Sequence, residues 1–159
     1  SPWGAHGSRG QLDRLLAWAA DSLLPRLRSH FSAGAGPAAT VIGGSSLGGL
    51  AALYAHFHRP DVFGGALAMS PSLWFAQRRI FDWLGAASTP WTSRVYLDCG
   101  ALEGRGAMLT HARTLAEQLG HRGYGDDRLR FRADRLGAHN ERSWRRRLPN
   151  ALRFFYRAP

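Results

Sequence analysis

Two serines, Ser45 and Ser46, stand side by side between glycines in TVIGGSSLGGLAALYAHF (residues 40–57). The stretch opens with an apolar run and closes with small and apolar residues at helical spacing, so it reads as a strand turning directly into a helix. In a G-x-S-x-G pattern at such a turn the central hydroxyl is lifted above the sheet, and its neighbours must be small because the backbone doubles back there. The pattern fits once, as Gly44-Ser45-Ser46-Leu47-Gly48. Ser46 is therefore the candidate nucleophile and Ser45 the variable position. The Leu47 amide follows at the helix start, where the dipole favours negative charge, and is the candidate oxyanion donor. The competing readings are a tightly packed turn or a phosphate loop. A nucleotide loop would show G-x-x-x-x-G-K or G-x-G-x-x-G, and neither is present.

A serine hydroxyl needs a base. Of seven histidines, His6 and His30 lie upstream of the turn, and His56, His58, His111 and His121 read as ordinary surface or boundary residues of helices. His139, in LGAHNERSW, follows the last expected strand and precedes the last helix. That is where the chain order serine, acid, histidine puts the base. The acid belongs in a loop after an intermediate strand, and VYLDCGALEG (residues 95–104) offers two. Glu103, in the loop itself, is preferred; Asp98, at the strand end, is the alternative, and Asp134 a third.

These residues must be held by a frame. Helical spacing covers Gln11 to Phe31, with Ser8 as a possible cap, and SAGAGPA (residues 32–38) breaks it. Strands are expected at Ala39–Gly44, Gly64–Ser70, Arg94–Cys99 and, with an edge-like alternation, Leu129–Asp134. Helices are expected at Leu47–His58, Leu73–Leu84, Ala107–His121 and Asn140–Tyr156. Strands alternating with helices imply βαβ units and a parallel sheet, and continuously apolar strands imply a sheet covered on both faces. In SPSLWF (residues 70–75), Trp74 and Phe75 either line an acyl or aromatic pocket or pack a helix on the sheet.

The chain has 159 residues, a one-domain length, and a net charge of +10 in which all basic residues are arginine. Exclusive use of arginine suggests coding bias, and the arginines are spread along the chain apart from Arg145–Arg147. Nucleic acid and membrane are therefore not expected as partners, although the charge can attract an anionic substrate. No apolar run approaches the ~18 residues that span a bilayer, and no secretory leader is visible at the start. Cys99 is the single cysteine, so an internal disulfide is excluded. No zinc-ligand spacing is present. A cytoplasmic location is expected.

IGGSSLGGLAALY, FGGALAMSPSLWF, RVYLDCGALEG and GAHNERSWRRRLPNALRFFY together resemble the putative esterase family of α/β-hydrolases. That family includes enterochelin esterases, esterase D-type enzymes, feruloyl esterases and the antigen 85 mycolyltransferases. The resemblance covers the chain in order and is closest to the enterochelin-esterase-like branch. It implies an α/β-hydrolase fold, here its C-terminal part with about four mostly parallel strands and helices on both faces. It implies a serine esterase with Ser46 as nucleophile, His139 as base and the acid at Glu103 or Asp98, needing no metal or organic cofactor. Family members carry a further N-terminal half that supplies strands and a second oxyanion amide. The chain starts at Ser1 without a methionine, so the expectation is a single truncated domain over residues 1–159, completed by another segment or an oligomer. The alternatives are an acyltransferase of the same family and an inactive fragment with a binding or assembly role.

Overall fold

A computed structural model describes residues 10–89 and 93–156; Ser8, the possible helix cap, lies outside them. Four strands form one sheet in the order β1-β2-β3-β4: β1 (Val41–Ser45), β2 (Gly65–Met69), β3 (Arg94–Gly100) and β4 (Leu129–Asp134). All neighbours are parallel, in register from Val41 opposite Gly65 and Gly65 opposite Arg94 to Gly100 opposite Asp134. Parallel strands need crossovers, and the helices supply them.

The helices are α1 (Leu12–Trp18), α2 (Leu24–His30), α3 (Leu47–His58), α4 (Arg79–Ala86), α5 (Ala107–His121) and α6 (Glu141–Tyr156). The two faces of the sheet are covered unequally. Ala66, Ala68, Val95, Leu97 and Cys99 point to a large core shared with α1, α3, α4 and α5. The alternate residues Leu67, Met69 and Tyr96 point the other way, to Trp144, Ala151, Phe154 and Phe155 of α6. This is the period of two along each strand. α3 is buried nearly all round, from Gly49 to Phe57, because it lies between sheet and helices. Its sequence accordingly lacks a polar face.

Three expectations need correction. The first long helix is interrupted by a π turn at Ala19–Leu23, directly ahead of Leu24-Pro25, which opens the next helix; proline has no N–H to continue the α-helical ladder. The first strand begins at Val41, two residues late, because Pro37–Ala39 forms a 3₁₀ turn. The helix expected from Leu73 starts only at Arg79. Ala76, Gln77 and Arg78 precede it with φ of 48°, 56° and 62°. Left-handed backbone at non-glycine residues costs about 1–3 kcal/mol each, and propensity does not signal it.

Candidate active site

The site lies at the carboxyl ends of the strands, where open parallel sheets gather their loops. Ser46 sits between β1 and α3 with φ 57° and ψ −121°, a strained conformation for a residue with a side chain. Its neighbours allow it. A Cβ on Gly44 would come within 2.6 Å of the Gly48 carbonyl carbon, so helix and strand touch here only because residue 44 is glycine. The Ser46 N–H donates to the Met69 carbonyl (3.0 Å), and the Ser46 carbonyl accepts from Ser72 N–H (3.0 Å). The elbow is thus tied to the segment after β2. Leu47 is the first residue of α3, so its N–H belongs to the set at a helix start that has no intrahelical acceptor.

Ser46 Oγ lies 2.9 Å from His139 Nε2, and His139 Nδ1 lies 2.8 Å from Glu103 Oε2. With the ring proton on Nδ1 facing the carboxylate, Nε2 accepts from the serine hydroxyl. His139 is held in the loop before α6 by two bonds to that helix: Ser143 N–H donates to Asn140 Oδ1 (2.9 Å), and Ala138 N–H donates to Ser143 Oγ (3.1 Å). The Trp144 ring meets the imidazole edge-to-face at 5.1 Å. The His139 side chain remains about one-third exposed.

Glu103 is buried and saturated. Its Oε1 accepts from Gly100 N–H (2.7 Å) and Ser70 Oγ (2.7 Å) and faces Arg147 Nη2 at 3.4 Å. Ser70 Oγ in turn accepts from Trp144 Nε1 (3.0 Å) and Arg147 Nη2 (2.6 Å). Gly100 has to be glycine, since a Cβ would run into the Gly137 carbonyl.

The three candidate acids separate cleanly by partner. Glu103 meets His139. Asp98 is fully buried and faces Ser70 N–H and Arg147 Nη2, both at 3.3 Å. Burial raises its carboxyl pKa to about 6, against the opposing pull of the Arg147 charge. Asp134 holds Arg146 at 2.6 Å and Arg147 at 3.6 Å, and its carboxyl is held below the usual range by these arginines and the Leu136 N–H, against desolvation. Neither Asp98 nor Asp134 is paired with His139.

Phe75 lines an apolar cavity of about 210 Å³ with Leu12, Leu47, Leu50 and Tyr54. Trp74 is about half exposed and touches Phe75 edge-on, outside that lining. Sequence reasoning missed Ser70, Ser72, Trp144 and Arg147. Arg147 looked like part of a surface cluster, yet it is 6% exposed. The signal was its spacing: Trp144, Arg147 and Ala151 share the inward face of α6. His56 also differs from its expected surface position; it is fully buried and bonded to the Phe63 carbonyl and the Ser93 hydroxyl. Among the described residues no helix is long and apolar enough to cross a membrane.

Comparison with known proteins gives this geometry a context. A family model described as "Putative esterase" matches residues 4–155. The iron(III) salmochelin esterase of Escherichia coli O6:H1 is 30% identical over 125 residues, covering 69% of this chain and 30% of that protein. The protein YbbA of Bacillus subtilis is 24% identical over 142 residues, covering 86% of this chain and 56% of that one. The crystal structure of the enterobactin esterase FES from Shigella flexneri superposes with a TM-score of 0.78 at 26% identity, over 90% of this chain and 38% of that one. BES protein from Bacillus cereus shares the fold, with a TM-score of 0.75 at 23% identity, over 99% of this chain and 60% of that one. The chain spans from about a third to three-fifths of the length of these relatives. It has the α/β-hydrolase fold and belongs to the family that this model describes as "Putative esterase".

Proposed function

We propose that this chain is a serine esterase that hydrolyses a carboxylic ester through an acyl-enzyme. The observation that carries this reading is the unbroken line Ser46 Oγ, His139 Nε2, His139 Nδ1, Glu103 Oε2, with links of 2.9 and 2.8 Å. His139 takes the Ser46 proton as Oγ attacks the carbonyl carbon, and the carbonyl π pair moves onto oxygen. Leu47 N–H and the α3 dipole stabilise that oxyanion. Collapse expels the alcohol, protonated by His139. Water, deprotonated by the same imidazole, then releases the acid. Glu103 keeps the ring in the tautomer and orientation this sequence needs. The cavity beside Leu47 and Phe75 is the proposed acyl pocket.

The relatives named for salmochelin and enterobactin make siderophore esters the first natural substrates to try, and the +10 charge favours an anionic ligand. The test is turnover of p-nitrophenyl acetate and butyrate and of ferric enterobactin. Hydrolysis by the chain, falling to background in Ser46→Ala, is expected. Turnover unchanged in Ser46→Ala would overturn the reading.

A further inference from the structure

A second hydroxyl touches the reacting oxygen. Ser72 Oγ lies 3.1 Å from Ser46 Oγ, and Ser72 is 1% exposed. Ser46 has one hydroxyl proton. When that proton points to His139 Nε2, Ser46 Oγ presents only lone pairs to Ser72, so Ser72 must be the donor. Among the described residues, Ser46 Oγ is the one hydrogen-bond partner of the Ser72 hydroxyl. The fold does not depend on that hydroxyl to attach this segment to the elbow: Ser72 N–H already donates to the Ser46 carbonyl at 3.0 Å, and the Ser72 carbonyl accepts from Phe75 N–H at 3.0 Å. A buried O–H is therefore fixed by its own backbone and aimed at the nucleophile.

We infer that Ser72 is a further catalytic residue, a hydrogen-bond donor to Ser46 Oγ throughout the reaction. This rests on the proposed role of Ser46. In acylation the Ser46 proton passes to His139, an Oγ lone pair forms the bond to the carbonyl carbon, and the carbonyl π pair moves to oxygen. Ser72 keeps its proton and stabilises the negative charge that builds on Oγ before the bond is complete. In deacylation the same bond meets the charge that returns to Oγ as the acyl group leaves, until His139 restores the proton. Two bonds, one to His139 and one from Ser72, also confine Oγ to one rotamer, a contribution to orientation.

The test measures the second-order rate of fluorophosphonate labelling at Ser46, together with kcat, KM and melting temperature, for the chain and for Ser72→Ala and Ser72→Cys. One neutral hydrogen bond lost in the transition state predicts labelling and kcat about tenfold slower in Ser72→Ala. KM, melting temperature and the pH inflection of the rate are expected to stay in place, because Ser72 does not touch His139. Ser72→Cys, close in volume and a weaker donor, is expected to fall between the two and serves if Ser72→Ala does not fold. Equal labelling rates, or a lowered melting temperature with the rate per folded molecule unchanged, would overturn the role of Ser72. Absence of labelling in the parent chain is a different result; it would remove Ser46 as nucleophile and the role of Ser72 with it.

Discussion

Among the described residues three serine–histidine contacts occur; one joins the exposed chain neighbours Ser29 and His30, and the other two, at the candidate site and in the core, invite comparison. At the carboxyl ends of the strands, Ser46 Oγ meets His139 Nε2, and the far nitrogen meets the Glu103 carboxylate. Beside the start of β3, His56 Nε2 meets Ser93 Oγ, and its far nitrogen meets the Phe63 carbonyl at 2.7 Å. Each imidazole is thus bonded on both sides, with a serine at Nε2. They differ in three respects. His56 has a neutral carbonyl behind it, whereas His139 has the Glu103 carboxylate. His56 is fully buried, so desolvation pushes its pKa down to about 4, whereas the His139 side chain is about one-third exposed. Ser93 is fully buried and committed to the Tyr124 hydroxyl at 2.5 Å, while Ser46 stands on a strained elbow beside a helix N-terminus. A serine–histidine contact is therefore common currency; the carboxylate, the exposure and the oxyanion donor separate a candidate site from a core hydrogen bond.

The comparison breaks most visibly on alanine substitution. His139→Ala is expected to cost on the order of 10⁴–10⁶ in kcat, as loss of a triad base does, with the melting temperature nearly unchanged. His56→Ala is expected to do the reverse. It strands the Phe63 carbonyl in the core and leaves the Ser93 hydroxyl with Tyr124 alone, costing about 2–4 kcal/mol of stability, with kcat per folded molecule preserved. Kinetics and thermal melts of both variants check this, and equal kinetic damage would erase the distinction.

Next in size is the carboxylate. Glu103→Gln is expected to lower kcat by about 10⁴, because the amide cannot hold the required tautomer. Asp98→Asn should cost about tenfold or less, since Asp98 reaches Glu103 only at second hand, through Arg147 and Ser70. The reverse ranking of the two variants would transfer the acid role to Asp98.

The smallest effect is on stability against pH. His56 has a folded pKa below its ordinary 6.5, so its contribution is whole above pH 6.5 and is lost as pH falls toward 4. Asp98 has a folded pKa near 6 against 3.8. Its burial cost therefore grows as pH rises from 4 through 6, and acidification relieves it. Between pH 7 and 5, His56 withdraws about 2 kcal/mol and Asp98 returns about 1 kcal/mol. Urea unfolding at the two values should show a small net loss in the parent chain. The loss should be steeper in Asp98→Asn and replaced by a small gain in His56→Gln. Identical slopes in all three would contradict both assignments.

Much of the frame was legible in the sequence because period and turn chemistry are local. Apolar strands such as GALAM, the glycine elbow and the small residues of α3 each announce their element. His139 and Glu103 could be nominated from chain order, since the loops after parallel strands share one edge of the sheet. What escaped depends on contacts distant in sequence. The left-handed run at Ala76–Arg78 displaced the start of α4 against propensity. Arg147 was hidden in a run of arginines because its role is set by Asp98, Glu103 and Ser70, which only the fold brings to the inward face of α6. His56 was misjudged for the same reason: its partners, Phe63 and Ser93, come from outside α3.

The most direct measurement is to label the purified chain with a fluorophosphonate and identify the modified residue by peptide mass spectrometry, alongside Ser46→Ala and Ser93→Ala. The account predicts one adduct, on Ser46, absent from Ser46→Ala and undiminished in Ser93→Ala. A folded chain that takes no label, or takes it elsewhere than Ser46, would contradict it.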